Sequence, residues 1–237
     1  MKKILFYTLM LCLTSFGFAS CGDDDELTDS KITYYPTLEI QGDEFTIVPI
    51  GTAYTELGCK GILQGEDCTS GIVTSADGDE VDVNRAGLYY IDYSYKNKDG
   101  YTQKVTRTVA VCDPTITENF EGNYKVQAGS NRDYDGAVTD FKGFSVKIEQ
   151  AAPGIFYVSD LIGGYYDQNA GYGSQYAMTG YIQLFADNSL KLLSSSVAGW
   201  GDSADSFENG QYNPETGEIS YDLAYAGIMK FHIILKM

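Results

Sequence analysis

The chain has 237 residues, including 20 tyrosines and 26 glycines, and its formal net charge is −17. Such acidity disfavours nucleic acid and anionic membrane surfaces as partners, because both are bound through basic patches. Frequent tyrosine together with frequent glycine is typical of β-strands joined by many turns. The composition therefore predicts a soluble, all-β protein that does not bind nucleic acid.

The beginning of the chain has the pattern of a secretory signal. Two lysines precede an apolar run over residues 4–19, and two small residues come directly before Cys21. A charged start, a short apolar run and small residues before the cleavage point are the parts of such a signal. The run is shorter than the roughly 20 residues that span a bilayer. The segment resembles a bacterial lipoprotein signal, which implies that residues 1–20 are removed and that Cys21 is lipidated.

An acidic stretch over residues 22–26 follows Cys21. It resembles the tag that sends Bacteroidetes lipoproteins to the outer face of the outer membrane. The expected location is therefore the outer membrane, with a lipid anchor and exposure at the cell surface. Residues 21–36 are polar and acidic and are expected to form a tether. The alternative is a plain secretory peptide with an incidental cysteine.

Apart from the lipidated Cys21, three cysteines remain after the signal, at positions 59, 68 and 112. An oxidising compartment permits a disulfide, and two alternatives stay open: a bridge between Cys59 and Cys68, or free buried thiols. Their spacing fits no zinc motif, and the chain has a single histidine. We therefore expect neither a metal site nor a cofactor.

Residues 37–113 have the pattern of a β-domain. Gly87–Lys96 alternates Tyr, Ile and Tyr on one face with polar residues on the other, as a half-buried strand does. Residues 97–100 predict a turn, and Val105–Val111 predicts the returning strand of a hairpin.

Several ordered motifs of this region are similar to the bacterial surface Ig-like domain and to the Ig-like domain of pesticidal crystal proteins. They are Gly51–Tyr54, Leu57–Lys60, Gly65–Asp67, Ala86–Tyr89, Asp99–Gly100 and Thr106–Val111. The resemblance implies a β-sandwich that acts as a spacer or adhesion module and has no catalytic residues.

A second β-region, 118–237, follows Pro114, which cannot donate a hydrogen bond to a sheet. The predicted strands are Gly122–Gln127, Phe141–Gln150, Gly154–Asp160, Thr179–Ala186, Ser189–Ser195, Phe207–Tyr212, Glu218–Leu223 and Ile228–Lys236. This number of antiparallel strands suits a sandwich or a small barrel similar to a lipocalin.

The second region resembles the C-terminal domain of an uncharacterised family of Bacteroidetes lipoproteins. The motifs are Phe120–Tyr124, Val158–Leu161, Gly163–Tyr166 and Gly210–Tyr212. Members of that family tend to lie beside outer-membrane glycan-import systems, so the resemblance implies glycan-import proteins as partners.

The sequence offers little for catalysis. His232, the single histidine, lies on the polar face of the last predicted strand, where it is a poor base for a nucleophile. Glycosidases need two facing carboxylates. Four aspartates in or near predicted loops supply such groups without placing them opposite each other: Asp160, Asp167, Asp202 and Asp205. We therefore predict a protein that is not an enzyme.

Two long loops hold the candidate ligand-binding residues. Gly163–Met178 contains Asp167 and several tyrosines, and Ser196–Ser206 contains Trp200, the sole tryptophan. The tyrosines are Tyr165, Tyr166, Tyr172 and Tyr176. Aromatic rings offer flat apolar faces to sugars, and carboxylates bind sugar hydroxyls. In the alternative interpretation these rings pack onto the mouth of the barrel and close its core.

The preferred hypothesis is a non-catalytic accessory protein that binds an oligo- or polysaccharide for an uptake system. A structural or adhesion protein without a small ligand is the second hypothesis, and a glycoside hydrolase is the third.

Overall fold

Residues 36–112 form two small β-sheets that pack face to face. The computed structural model describes residues 32–76 and 81–237, so Cys21, the signal and most of the tether lie outside the described residues. One sheet contains β1 (Thr37–Ile40), β3 (Cys59–Leu63) and β4 (Glu66–Asp67). The other contains β2 (Phe45–Pro49), β5 (Val73–Ala76), β6 (Gly87–Lys96) and β7 (Thr102–Cys112), with β2 parallel to β7.

The predicted hairpin is confirmed as β6 and β7, which pair along their length. Tyr89, Ile91 and Tyr93 are buried in the core between the two sheets. The side chain of Asn97 closes the turn by accepting the backbone N–H groups of Asp99 and Tyr101. Strong alternation and good turn residues therefore predict this element well.

A buried arginine holds the loops around the sandwich core. Arg107 is 2% exposed. Its guanidinium donates to Glu56 Oε1 at 3.0 Å and to the backbone oxygens of Asp43 and Gln41. Burial of a charge is tolerated when it is paired and hydrogen-bonded in this way.

The second region is an antiparallel sheet of ten strands. The strands are β8 (Gly122–Val126), β9 (Asn131–Tyr134), β10 (Ala137–Asp140), β11 (Ser145–Ala152), β12 (Ile155–Val158), β13 (Met178–Leu184), β14 (Leu190–Val197), β15 (Ser206–Asn213), β16 (Glu218–Tyr225) and β17 (Met229–Lys236). One edge of β17 pairs with β16, and the other pairs with both β9 and β8. The sheet curls into a half-barrel, and Ser189 pairs with Gln211 where β14 approaches β15.

The all-β prediction is confirmed, since strands make up 53% of the described residues and helices only 5%. Alternate residues of β17 are buried in the core of the curled sheet. Short helical turns occur at Thr69–Gly71, Tyr165–Asn169 and Ser174–Tyr176. Among the described residues, no helix combines the length and the apolar character needed to cross a membrane.

The sequence pattern does not predict two strands of the curled sheet. β9 and β10 form a hairpin at its edge, and all four residues of β10 are exposed. Asp135 and Gly136 form its turn, with φ values of +50° and +86°. A two-residue Asp-Gly turn with positive φ at both positions is a common hairpin connection. These two strands are polar and lack the alternation of apolar and polar residues, so the sequence pattern gives no indication of them.

The two β-regions also share an apolar interface. Ala110 and Cys112 on the outer face of β7 pack with Ala152 and Ile155 of the curled sheet. The ring of Phe45 stacks on that of Tyr181, with centroids 6.1 Å apart. The four-stranded sheet therefore buries apolar side chains on both of its faces.

All three described cysteines are free thiols, so the alternative of a Cys59–Cys68 bridge is not realised in the structure. The backbone N–H of Cys68 bonds to the carbonyl of Gly61, two residues along β3 from Cys59. Such an offset amounts to about 7 Å along the strand, in addition to about 5 Å between the strands, which places the two Cα atoms beyond the separation of about 4.4–6.8 Å in a disulfide. Burial raises the pKa of the Cys59 thiol.

Candidate functional site

The first long loop leaves and re-enters the curled sheet at one buried carboxylate. Asp160 is 2% exposed, and its Oδ1 accepts the backbone N–H groups of Ile162 and Met178 at 3.0 and 3.2 Å. Gly163 and Gly164 follow in the left-handed region, at φ +64° and +75°. The loop therefore begins and ends at a fixed point on the sheet.

A π-helical turn, Tyr165–Asn169, forms the first part of this loop. Asn169 N–H and Ala170 N–H donate to the carbonyls five residues earlier, both at 2.9 Å. The side chain of Gln168 makes two hydrogen bonds to the backbone of Ser145, at 2.8 and 2.9 Å. Single π-turns are frequent at functional sites, and this one is fastened to β11.

The second loop is a tight turn held by backbone bonds. Val197 N–H donates to the Asp202 carbonyl at 2.8 Å, and Gly201 N–H donates to the Val197 carbonyl at 2.8 Å. Gly199 N–H reaches the carbonyl of Gln175 in the first loop at 2.7 Å. A Cβ at Gly199 would lie 2.6 Å from the Tyr176 ring. The two loops therefore pack together because position 199 has no side chain.

Five rings from the two loops and β16 form what we call the aromatic cluster: Tyr166, Tyr172, Tyr176, Trp200 and Tyr225. Trp200 lies 4.8 Å from both Tyr166 and Tyr176, measured between ring centroids. The Tyr172 and Trp200 rings are 6.4 Å apart and nearly perpendicular, at 89°. Aromatic pairs favour such edge-to-face arrangements, so the cluster holds its own geometry.

The outer side of the aromatic cluster faces solvent. Trp200 is 43% exposed and Tyr172 is 55% exposed. Together with Gln175 and Tyr176 they line a shallow cleft of about 370 Å³. The cleft therefore combines perpendicular ring surfaces with one amide that both donates and accepts hydrogen bonds.

The structure divides the predicted site residues between the two interpretations. Tyr165 is 8% exposed and packs edge-on against Phe141 and Phe231, so it closes the core and offers no face to a ligand. Tyr166 is half-buried and lies between that core and Trp200. Asp167 is also half-buried, and its carbonyl accepts the N–H of Gly173.

Three of the four aspartates considered for a catalytic pair make structural contacts. Asp160 is enclosed by protein, and burial raises its pKa to about 7 against the lowering effect of its backbone hydrogen bonds. Both carboxylate oxygens of Asp202 accept the hydroxyl of Tyr225 at 2.9 Å. Asp205 accepts the backbone N–H of Gly227 at 2.7 Å. Two of these contacts fix the ends of β16 and β17 beneath the aromatic cluster.

His232 lies away from the aromatic cluster, on the outer face of β17. Its Nδ1 is 2.7 Å from Asp222 Oδ1, and Asn209 donates to the other oxygen of that carboxylate. Both ring and carboxylate are 42% exposed. Within residues 32–76 and 81–237, no group of three His, Cys, Asp or Glu side chains is arranged to hold a metal ion.

Sequence reasoning missed two members of the site, Gln175 and Tyr225. Tyr225 ends β16 directly before the Ala226–Gly227 turn, where both residues have positive φ. That turn could have identified Tyr225 as a site residue, because it places Tyr225 at the end of a strand of the curled sheet. Gln175 carries no comparable signal in the sequence.

Comparison with known proteins identifies both regions. Residues 38–111 match the family model of the bacterial surface protein Ig-like domain. Residues 113–237, more than half of the chain, match a family model that describes a C-terminal domain. None of the curated proteins compared with the chain matches it.

Two solved structures illustrate the range of similarity. The lipoprotein BT2262 from Bacteroides thetaiotaomicron is 42% identical, with 86% of this chain and 100% of that chain covered and a TM-score of 0.50. A Clostridium perfringens ZmpB structure, described as CBM51-2 in complex with GlcNAc and INT domains, is 18% identical, with 52% of this chain and 29% of that chain covered. Its TM-score of 0.28 is too low to support an argument about fold or ligand. The chain belongs to the same family as the Bacteroides lipoprotein BT2262, and is a surface lipoprotein of that type.

Proposed function

We propose that this lipoprotein binds an oligo- or polysaccharide, without catalysis, as an accessory of a polysaccharide-uptake system in the outer membrane. The cleft of the aromatic cluster is the binding site. Residues 37–113 act as a spacer that holds residues 118–237 away from the membrane, and the tether 21–36 leads to the lipid on Cys21.

The observation that carries this proposal is the exposure of Trp200 and Tyr172 on a rigid support. Exposed apolar side chains that are gathered into one patch mark binding sites, and these two rings line the same cleft. Here backbone bonds hold the loop of Trp200, and Asp202 in the same loop is bonded to Tyr225. A preorganised surface loses little conformational entropy on binding.

The chemistry of the cleft suits a sugar. The C–H face of a pyranose packs on an aromatic ring, and its hydroxyls need donors and acceptors at the edge of that ring. Trp200 and Tyr172 supply two ring planes at 89°, and the Gln175 amide lines the same cleft. The cleft is shallow and open, which suits the side of a chain better than an enclosed monosaccharide.

A direct test uses affinity electrophoresis of residues 22–237 in gels that contain single polysaccharides, followed by a glycan array. We expect retardation by at least one polysaccharide, and quenching of Trp200 fluorescence by oligosaccharides cut from that polysaccharide. Binding that leaves Trp200 emission unchanged would place the site elsewhere. No retardation across a panel of plant, fungal and host glycans would favour the structural or adhesion role.

The lipid anchor has its own test. Cys21→Ala in the full chain removes the thiol that the lipid would occupy, so the variant is expected to leave the detergent phase in a detergent-partitioning experiment. Cys12→Ala is the matched control, because this cysteine leaves with the signal and its loss is expected to change nothing. Equal partitioning of Cys21→Ala and the unmodified sequence would contradict the anchor.

A further inference from the structure

We infer that Arg132, beside the aromatic cluster, is a specificity residue for an acidic glycan, and that it binds the carboxylate of a uronic acid unit. This inference rests on the proposed function. It narrows the ligand class from glycans in general to glycans that carry carboxylates.

The first observation is the position of Arg132. It lies in β9, opposite Phe231 of β17. Its guanidinium carbon is 4.8 Å from the centroid of the Tyr165 ring and 5.2 Å from that of Tyr134. Stacking on rings uses the flat faces of a guanidinium and leaves the N–H groups at its edge for other partners.

The second observation is the absence of an acidic partner. The chain has 33 acidic residues against 16 basic ones. Even so, no carboxylate within residues 32–76 and 81–237 forms an ion pair with Arg132. Its Nε is buried and has no hydrogen-bond partner. By contrast, the buried Arg107 is paired with Glu56 and with backbone oxygens. Arg132 is therefore held in place without being neutralised.

The third observation connects Arg132 to the cleft. Arg132 stacks on Tyr165, whose ring centroid lies 5.2 Å from that of Tyr166. Burial raises the pKa of Tyr166, whereas the charge of Arg132 and a side-chain hydrogen bond with it act in the opposite direction. The same Tyr166 ring lies 4.8 Å from Trp200. Tyr166 therefore adjoins both the cation and the exposed rings, so a glycan chain on Trp200 has Arg132 in reach of a neighbouring unit.

The chemistry follows from these positions. A planar guanidinium matches the two oxygens of a carboxylate, and such charge-assisted pairs are about twice as strong as neutral hydrogen bonds. The overall negative charge of the chain opposes any anion at long range. That field is screened by salt within about 8–10 Å, whereas a direct contact with Arg132 is not. A carboxylated sugar is therefore selected by local contact and not by the field of the protein.

The test compares binding of two oligosaccharides of equal length to residues 22–237, by calorimetric titration near physiological salt. One is oligogalacturonate, and the other is the neutral α-1,4-galactan made from it by reduction of its carboxyl groups. We expect oligogalacturonate to bind at least tenfold more tightly. Arg132→Gln should abolish that preference while leaving any galactan binding unchanged. Arg132→Lys should retain only part of the preference, because an ammonium cannot form the two parallel hydrogen bonds of a guanidinium with a carboxylate. Melting temperatures of the variants verify that they are folded.

Lys230→Gln is the matched control. Lys230 is an exposed cation on the neighbouring strand β17, and its side chain faces solvent. Its loss should leave the preference intact. A preference that survives Arg132→Gln, or tighter binding of galactan by the unmodified protein, would overturn the inference while leaving the proposed function standing. If no glycan binds the unmodified protein, or if a glycan binds and Trp200→Ala leaves its affinity unchanged, the proposed function itself fails.

Discussion

At the scale of single residues, this chain buries charged groups in two different ways. Arg107 is paired with Glu56 and with backbone oxygens, so its burial leaves no uncompensated charge in the sandwich. Asp160 has one oxygen bonded to two N–H groups and the other buried without a partner. An unsatisfied oxygen of this kind disfavours the charged carboxylate in the folded state.

The pKa of Asp160 therefore predicts how stability depends on pH. Burial raises this pKa from 3.8 to about 7, so the folded state binds more protons than the unfolded state between those values. Stability should then fall as the pH rises through this window, by up to about 1.4 kcal/mol per pH unit, and level off above it. Asp160→Asn should remove this slope.

The measurement is urea unfolding of residues 22–237 at several pH values between about 5 and 8. Asp205→Asn serves as the matched control, because Asp205 is exposed and should leave the slope unchanged. An identical pH dependence in the original protein and in Asp160→Asn would contradict the assignment of the slope to this carboxyl.

At the scale of elements, alternation in the sequence predicts the strands that bury one face and misses those that bury none. β17 was predicted because its alternate residues are apolar, and they are buried. β10 has no buried face at all, so no periodicity marks it. The structure inside the loop Gly163–Met178 could not be predicted from the sequence either. Its π-turn is held by hydrogen bonds between Gln168 and Ser145, which is distant in the chain.

The packing of the two loops yields a prediction about Gly199. Alanine at this position would place its Cβ 2.6 Å from the Tyr176 ring and 3.0 Å from the carbonyl of Gln175. One of these groups must move, so the aromatic cluster should loosen. Because Trp200 is the sole tryptophan, its emission reports on this change and should shift to longer wavelength in Gly199→Ala.

Ala198→Ser is the matched control, since Ala198 is the exposed neighbour in the same loop. Its spectrum should resemble that of the original protein. Gly199→Ala with an unshifted spectrum and unchanged melting temperature would show that the loops do not depend on the missing side chain.

At the scale of the whole molecule, residues 36–237 form one compact unit even though two family models divide them near position 112. Pro114 and the motifs on either side of it predict a division at this point. The apolar interface between the two β-regions could not be predicted from the sequence, because Ala110 and Cys112 give no indication that the outer face of β7 is covered. Their partners, Ala152 and Ile155, lie some 40 residues further along the chain.

This interface should couple the unfolding of the two regions. Ala110 is fully buried, and an unpaired charge there would be strongly unfavourable unless the regions separate. Calorimetry of residues 22–237 should show one transition, and Ala110→Asp should split it into two. Thr102→Asp, on the exposed end of the same strand, should keep one transition. Two transitions in the original protein would contradict the coupling.

The central claim is that the exposed rings of the aromatic cluster bind a glycan. Calorimetric titration of Trp200→Ala with an oligosaccharide identified by the electrophoretic screen tests it most directly. A ring at the centre of a binding site typically contributes above about 1–2 kcal/mol, so affinity should fall about tenfold while the melting temperature stays nearly unchanged. Tyr101→Ala, which removes an exposed ring in the turn between β6 and β7, should bind as the original protein does. Unchanged affinity in Trp200→Ala, or a large loss of stability without any effect on binding, would contradict the account.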